Sequence, residues 1–141
     1  MKNPHVFIDS NVWFSAFYKE GVCSELLRSL SKSVYEIVIS ELVLEEVIKN
    51  IKEKVPNALS YVIEYINSIK PTVVKNPSRS IIVQHKDLAD KYDLLILVSA
   101  IEYKCTYFIT GNMKDFKTEL IKSKKHLIII TPRDFLLLMT R

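Results

Sequence analysis

Acidic residues next to short apolar runs are where this chain could do chemistry. Asp9-Ser10-Asn11 ends the run Val6-Phe7-Ile8, and Thr110-Gly111-Asn112 ends Tyr107-Phe108-Ile109. Asp87, Asp90 and Asp93 precede Leu94 to Ile101, a stretch too apolar to face water on any side. Glu41, Glu45 and Glu46 lie outside the centre of an apolar face made by Val43, Leu44, Val47, Ile48 and Ile51. A carboxylate at the end of a buried strand is unstable unless something pairs with it. Carboxylates brought together without basic partners repel one another and resist ionisation. A hard divalent cation, Mg²⁺ or Mn²⁺, resolves that repulsion through oxygen ligands and leaves room for water and phosphate. The chemistry implied is metal-assisted hydrolysis of a phosphodiester.

Other chemistries find less support. Cys23 and Cys105 lack metal-ligand spacing and read as small buried hydrophobes, not as a disulfide framework. His5, His85 and His126 form no zinc cluster and accompany no recognisable nucleophile motif. Gly21 and Gly111 are the only glycines, which excludes glycine-rich phosphate loops. A phosphatase using Asp9 as nucleophile would carry a second acid two residues on, where Asn11 stands. The net charge of +4 permits a nucleic-acid partner without requiring one. No apolar run approaches the roughly 20 residues of a membrane span, and MKNPHVFIDSN lacks a signal peptide's apolar region. The expectation is a cytoplasmic protein with no membrane partner. With 141 residues and 48% hydrophobic content, one packed domain over residues 1–141 is expected.

The elements that must position these acids can be read from periodicity. Val6–Ile8, Ile37–Ile39, Tyr107–Ile109 and Leu127–Ile130 read as buried strands, with a further short strand at Val73-Val74 or at Ile81–Val83. Helices are expected over Val12–Lys19, Ser24–Ser31 and Glu41–Glu53, the last capped by Ser40. Another runs from Pro56 until Pro71 stops it, with Leu59, Val62, Ile63, Ile66 and Ile69 facing the core. The buried helix after Asp90 follows, then a short surface helix over Asn112–Leu120 and a last helix begun by Thr131-Pro132. Helices alternating with short buried strands argue a three-layer α/β/α sandwich with a mainly parallel sheet. Residues just beyond the strand ends then gather along one edge.

Simpler roles compete for several of these residues. Asp9 or Ser10 can cap the helix that follows, and Asp90 with Asp93 matches a cap and a first-turn acid. Periodicity leaves open which of Glu41, Glu45 and Glu46 points toward a site. Lys122, Lys124 and Lys125 form either a basic patch for RNA or a solvated surface. Trp13, Phe14, Phe17 and Tyr18 fit a core face as well as a dimer or partner surface.

VFIDSNVWFSA, VISELVLEEV, DLLILVSAIEYKCTYFITGN and IIITPRDFL, in that order and spacing, make the chain resemble the PIN-domain family over nearly its full length. The similarity is to the VapC-like toxins of toxin–antitoxin pairs. The resemblance implies a Mg²⁺- or Mn²⁺-dependent endoribonuclease that cuts RNA, inhibited by a cognate antitoxin protein and forming a homodimer. It also selects the site: Asp9, Glu46 and Asp93, with Glu46 chosen because it lies six residues after Ser40 as the family pattern has it. The family usually carries an acid where this chain has Asn112. Asn112 then offers the metal a neutral oxygen, and Asp115 supplies the missing carboxylate. Ser10, Asn11, Thr110 and Lys114 are the expected substrate-side residues. The alternative is a PIN-like domain that binds RNA or protein but cuts poorly, because Asn112 replaces an acidic ligand.

Overall fold

The computed structural model describes residues 3–140. Five strands form one all-parallel sheet: β1 (His5–Ile8), β2 (Glu36–Ser40), β3 (Thr72–Val74), β4 (Tyr107–Ile109) and β5 (Ile128–Ile130), in the order β3-β2-β1-β4-β5. Helices cover both faces: α1 (Ser10–Tyr18) and α2 (Val22–Ser31) lead to β2, and α3 (Glu41–Lys54) and α4 (Leu59–Ile69) lead to β3. Between β3 and β4 come α5 (Arg79–Gln84) and α6 (Lys91–Glu102); α7 (Thr118–Lys125) precedes β5 and α8 (Pro132–Met139) follows it. The result is the three-layer α/β/α sandwich expected from the sequence. Right-handed crossovers put windings of opposite direction on opposite faces. Accordingly α1 packs on α2 and α3, α2 packs on α8, and α5 packs on α6.

Parallel strands buried on both faces need continuous apolar runs. Val6, Phe7 and Ile8 are wholly buried, as are Phe108 and Ile109 beside them. Phe7 and Phe108 are paired across β1 and β4 and stack at 5.3 Å, 4° from parallel. Trp13 belongs to the core, its indole N–H donating to Ile8 O at 3.1 Å. Phe14 and Phe17 pack against that core, while Tyr18 is exposed. Cys105 is buried, and burial followed by the Glu36 charge pushes its thiol up to about 12. Cys23 is only half-buried, and both thiols are free.

Several boundaries differ from expectation for local reasons. The further strand is Thr72–Val74; Ile81–Val83 lies inside α5 because Ser78 caps it, accepting from Ile81 N at 3.4 Å. Asn112–Leu120 is not one helix. A 3-10 turn at Met113–Asp115 is followed by extended Phe116, and α7 starts at Thr118. Phe116 turns its ring inward against Phe108, so the chain cannot continue as a surface helix there. Ile63, expected on the core face of α4, is 39% exposed. No described helix is long and apolar enough to cross a membrane.

Scarce glycine leaves a mark on the helix ends. Lys70, Lys104 and His126 adopt left-handed backbone conformations, and Lys70 and His126 are the caps ending α4 and α7. A side chain in that region costs about 1 kcal/mol, which glycine avoids. Lys70→Gly is expected to raise unfolding stability by up to about 1 kcal/mol, measured by urea denaturation.

Candidate functional site

β1 leads outward to β2 and β3, whereas β4 and β5 lie on its other side. The crevice between β1 and β4 is therefore the switch point, where open parallel sheets bind ligands beyond the carboxyl ends of their strands. Asp9 follows β1 there and Thr110 follows β4. The strand register continues through them: Asp9 N donates to Ile109 O at 2.9 Å, and Thr110 N donates to Ile130 O at 3.0 Å.

Asp9 is 6% exposed and its carboxylate is fixed by three donors. Ser10 N donates to Oδ1 at 2.8 Å, while Thr110 Oγ1 and Asn11 Nδ2 donate to Oδ2 at 2.9 and 3.2 Å. The cap role foreseen for Asp9 is therefore present, but Ser10 N satisfies only one of its oxygens. Thr110 Oγ1 also accepts from Asn112 N at 3.1 Å and from Asn11 Nδ2 at 3.3 Å. With two donors aimed at it, the hydroxyl can give its hydrogen only to Asp9. Asn11 completes the clamp, its Oδ1 accepting from Gly111 N at 3.0 Å. A Cβ at position 111 would sit 3.3 Å from that oxygen, which explains a glycine at this close approach.

Glu46 comes from α3, whose first turn is fixed by Ser40 Oγ accepting from Val43 N at 3.2 Å. Its Oε1 is buried without a hydrogen-bond partner, the one such side-chain atom among the described residues. Glu41 and Glu45 are exposed, and Glu41 accepts from Asn76 N at 3.4 Å. Asp93 sits half-buried in the first turn of α6, after Asp90, whose backbone caps the helix although its side chain makes no capping bond. Asp115 is exposed but held close to Asp93 by the bridge between Ala89 and Phe116 and by Lys117 N donating to Leu88 O at 3.2 Å.

These acids act on one another, and the carboxyls of Asp9 and Asp93 shift upward. Burial raises the Asp9 carboxyl above its ordinary value; the Thr110 and Ser10 bonds oppose this, and the charges of Glu46 and Asp93 add to it. Asp93 is raised by burial first, then by Asp115, Asp90 and Glu46. The phenol of Tyr92 is raised by burial and then by Glu46, which it lies beside without closing a bond of ordinary geometry, and by Asp9 and Asp93. Tyr92 thus senses all three acids and stays a neutral phenol at working pH.

The pH dependence of stability follows in sign. A carboxyl raised by folding favours the folded state at pH values below its unfolded value of 3.8, and that contribution is lost as pH climbs through the raised value. In EDTA, Asp93→Asn is expected to gain stability relative to the original chain as pH rises from below 3.8 toward neutrality. Urea unfolding of both proteins across that range measures it.

A cleft of about 370 Å³ opens over Asp9 and Asp93, while Glu46, Thr110 and Asp115 are not among the residues that line it. Asp9 and α1 contribute Ser10, Asn11, Phe14 and Ser15; α3 contributes Asn50 and Lys54; α6 contributes Tyr92, Asp93 and Ile96; Asn112 closes it. Ser10, Asn11, Thr110 and Asn112 are thus all in or beside the site. Lys114 is not in this cleft. It lines an adjoining hollow with Lys86, Asp87, Asp90, Asp115 and Lys117. Lys122, Lys124 and Lys125 are exposed on the last turn of α7. Asn50, Lys54 and Tyr92 were not foreseen as site residues. Asn50 and Lys54 follow Glu46 at successive four-residue steps, so the helical period carried that signal once Glu46 was chosen.

Among the described residues, no three acidic, histidine or cysteine side chains are gathered tightly enough to close around an ion as they stand. Mg²⁺ asks for less, since it keeps several waters and takes one or two carboxylates with substrate phosphates. The partnerless Glu46 oxygen beside two carboxyls raised above their ordinary values is an oxygen-only donor set that fits such an ion.

The family model described as PIN domain matches residues 5–114. The crystal structure of VapBC2 from Rickettsia felis, bound to a DNA fragment from the promoter, is similar with a TM-score of 0.63 at 16% identity, covering 90% of this chain and 98% of that one. No curated protein matches the sequence.

Proposed function

Because the chain belongs to the PIN-domain family, we propose that it is a Mg²⁺- or Mn²⁺-dependent endoribonuclease, the toxin of a toxin–antitoxin pair. Asp9, Glu46 and Asp93 are the metal ligands in this reading, with Asp115 adding charge beyond Asp93 and Asn112 offering a neutral oxygen. The observation that carries it is the buried, partnerless Oε1 of Glu46 beside two carboxyls already raised above their ordinary values. A hard cation bound here supplies a water of lowered pKa and positive charge for the phosphate.

The chain's own residues do the positioning. Thr110 and Ser10 hold Asp9 in one orientation, and their hydrogen bonds oppose the rise that burial imposes on its carboxyl. Asn11 ties the Thr110–Gly111 corner to the start of α1. Ser10 and Asn112 line the cleft where a phosphate would enter. Lys114, with Lys86 and Lys117, offers positive charge to the RNA backbone just outside.

The partner protein proposed is a cognate antitoxin, on the strength of the similarity to VapBC2. Acting in the cytoplasm as a homodimer completes the reading. RNA cleavage with and without Mn²⁺, comparing the original chain with Asp9→Asn, tests it. Cleavage only with Mn²⁺ and only by the original chain is expected; metal-independent cleavage, or equal cleavage by both, overturns it.

A second reading is favoured by one feature: Asn112 stands at an exposed edge of the cleft with no charge to give a second ion. In that case the domain binds RNA or protein and cuts poorly. Asn112→Asp separates the two. The nuclease reading expects a change within about 100-fold, the scale of an outer partner, whereas a larger gain would mark the native site as impaired.

A further inference from the structure

The cleft that holds Asp9 and Asp93 has one wall without acids. Phe14 from α1, Asn50 and Lys54 from α3, and Tyr92 from α6 make it. Lys54 Nζ lies 5.1 Å from the centre of the Phe14 ring. No ion pair engages this ammonium among the described residues, although carboxylates line the same cleft. Tyr92 is 51% exposed, with its hydroxyl turned toward Glu46 and much of the residue open to solvent. Phe14 also stacks on exposed Tyr18 at 5.3 Å.

Aromatic faces, a free cation and an amide together match one ligand chemistry. Single-stranded nucleic acid is held by bases stacking on aromatic rings while cations follow the backbone. A duplex keeps its base faces covered and cannot use such a wall. We propose that Phe14, Asn50, Lys54 and Tyr92 form a binding subsite for the nucleotide next to the scissile bond in single-stranded RNA. The base lies against the Phe14 and Tyr92 rings and takes the place of the Lys54 ammonium over Phe14. That ammonium moves to the adjoining phosphate, and the Asn50 amide meets the base edge. Placing the scissile bond beside this subsite rests on the nuclease reading; the subsite itself rests on the wall.

The test is fluorescence-anisotropy binding in EDTA, using a short labelled single-stranded RNA, an abasic ribose-phosphate chain of equal length and a duplex of the same sequence. The original chain is expected to prefer the single strand over both by roughly tenfold or more, the scale of one stacked base. Phe14→Leu and Tyr92→Leu should each remove most of that preference, and Lys54→Met should lower the salt slope by about one phosphate, roughly 0.7. Absent binding, equal binding of the abasic chain or duplex, or unchanged preference in both ring variants overturns the subsite. The comparison of ligands on the original chain needs no variant, so a folding defect cannot mask the answer. Base-dependent binding without Mn²⁺-dependent cleavage would sink the nuclease reading alone; cleavage without base-dependent binding would sink the subsite alone.

Discussion

Glu46→Gln is expected to abolish RNA cleavage while making the metal-free protein more stable. The substitution keeps the shape of the side chain and removes its charge. In the folded chain that charge raises both the Asp9 and the Asp93 carboxyl, and the buried Oε1 has no donor to compensate it. Relieving the repulsion should add about 1 kcal/mol in EDTA, the usual gain from removing a strained functional group. Cleavage should fall by more than about 100-fold, because a ligand to a charge-stabilising ion contributes several kcal/mol to the transition state. Urea denaturation in EDTA and cleavage in Mn²⁺ read the two effects separately. A glutamate serving only the fold would give the opposite pair: lost stability with retained activity.

Asp9→Asn should reduce cleavage by roughly 1000-fold on the same grounds. Its effect on stability should differ. Asp9 accepts from Ser10 N, Thr110 Oγ1 and Asn11 Nδ2, so all its neighbours are donors. An amide there would face its own N–H₂ toward one of them. Relief of burial and repulsion is then offset by a lost hydrogen bond of about 1 kcal/mol, leaving metal-free stability nearly unchanged. The contrast between Glu46→Gln and Asp9→Asn, one gaining and the other neutral, comes from their partners alone. Equal gains in both would mean that the clamp around Asp9 contributes nothing.

The strand ends were the most legible part of the sequence. Val6-Phe7-Ile8 and Tyr107-Phe108-Ile109 are apolar without alternation, as central parallel strands must be, and polar residues follow each at once. Those two facts place Asp9 and Thr110 at one edge once the sheet is parallel. Local capping was legible too, at Ser40 and Thr131, because the capping side chain and the helix it starts are neighbours in sequence. The run Ile81–Val83 was ambiguous, since a short apolar stretch fits a strand or a helix until Ser78 is seen to cap it. The break at Phe116 was hidden, because it depends on Phe108 in another element.

The candidate acids could be named from the sequence; the other residues lining the cleft could not. Periodicity could not choose among Glu41, Glu45 and Glu46; family resemblance did, and in the structure only Glu46 has a sealed, partnerless oxygen. Tyr92 and Lys54 look like ordinary surface residues in sequence. Only the packing of α6 against the sheet and of α3 against α1 brings them over the same cleft. Lys114 shows the limit of sequence proximity: two residues from Asn112 in sequence, it lines the neighbouring hollow and not the cleft itself.

Anomalous diffraction from a crystal soaked in Mn²⁺ reaches the heart of the account. A manganese peak bonded to the Asp9, Glu46 or Asp93 oxygens, with waters completing its shell, is the predicted result. A peak elsewhere, or none while the Glu46 carboxylate stays sealed and alone, would contradict it.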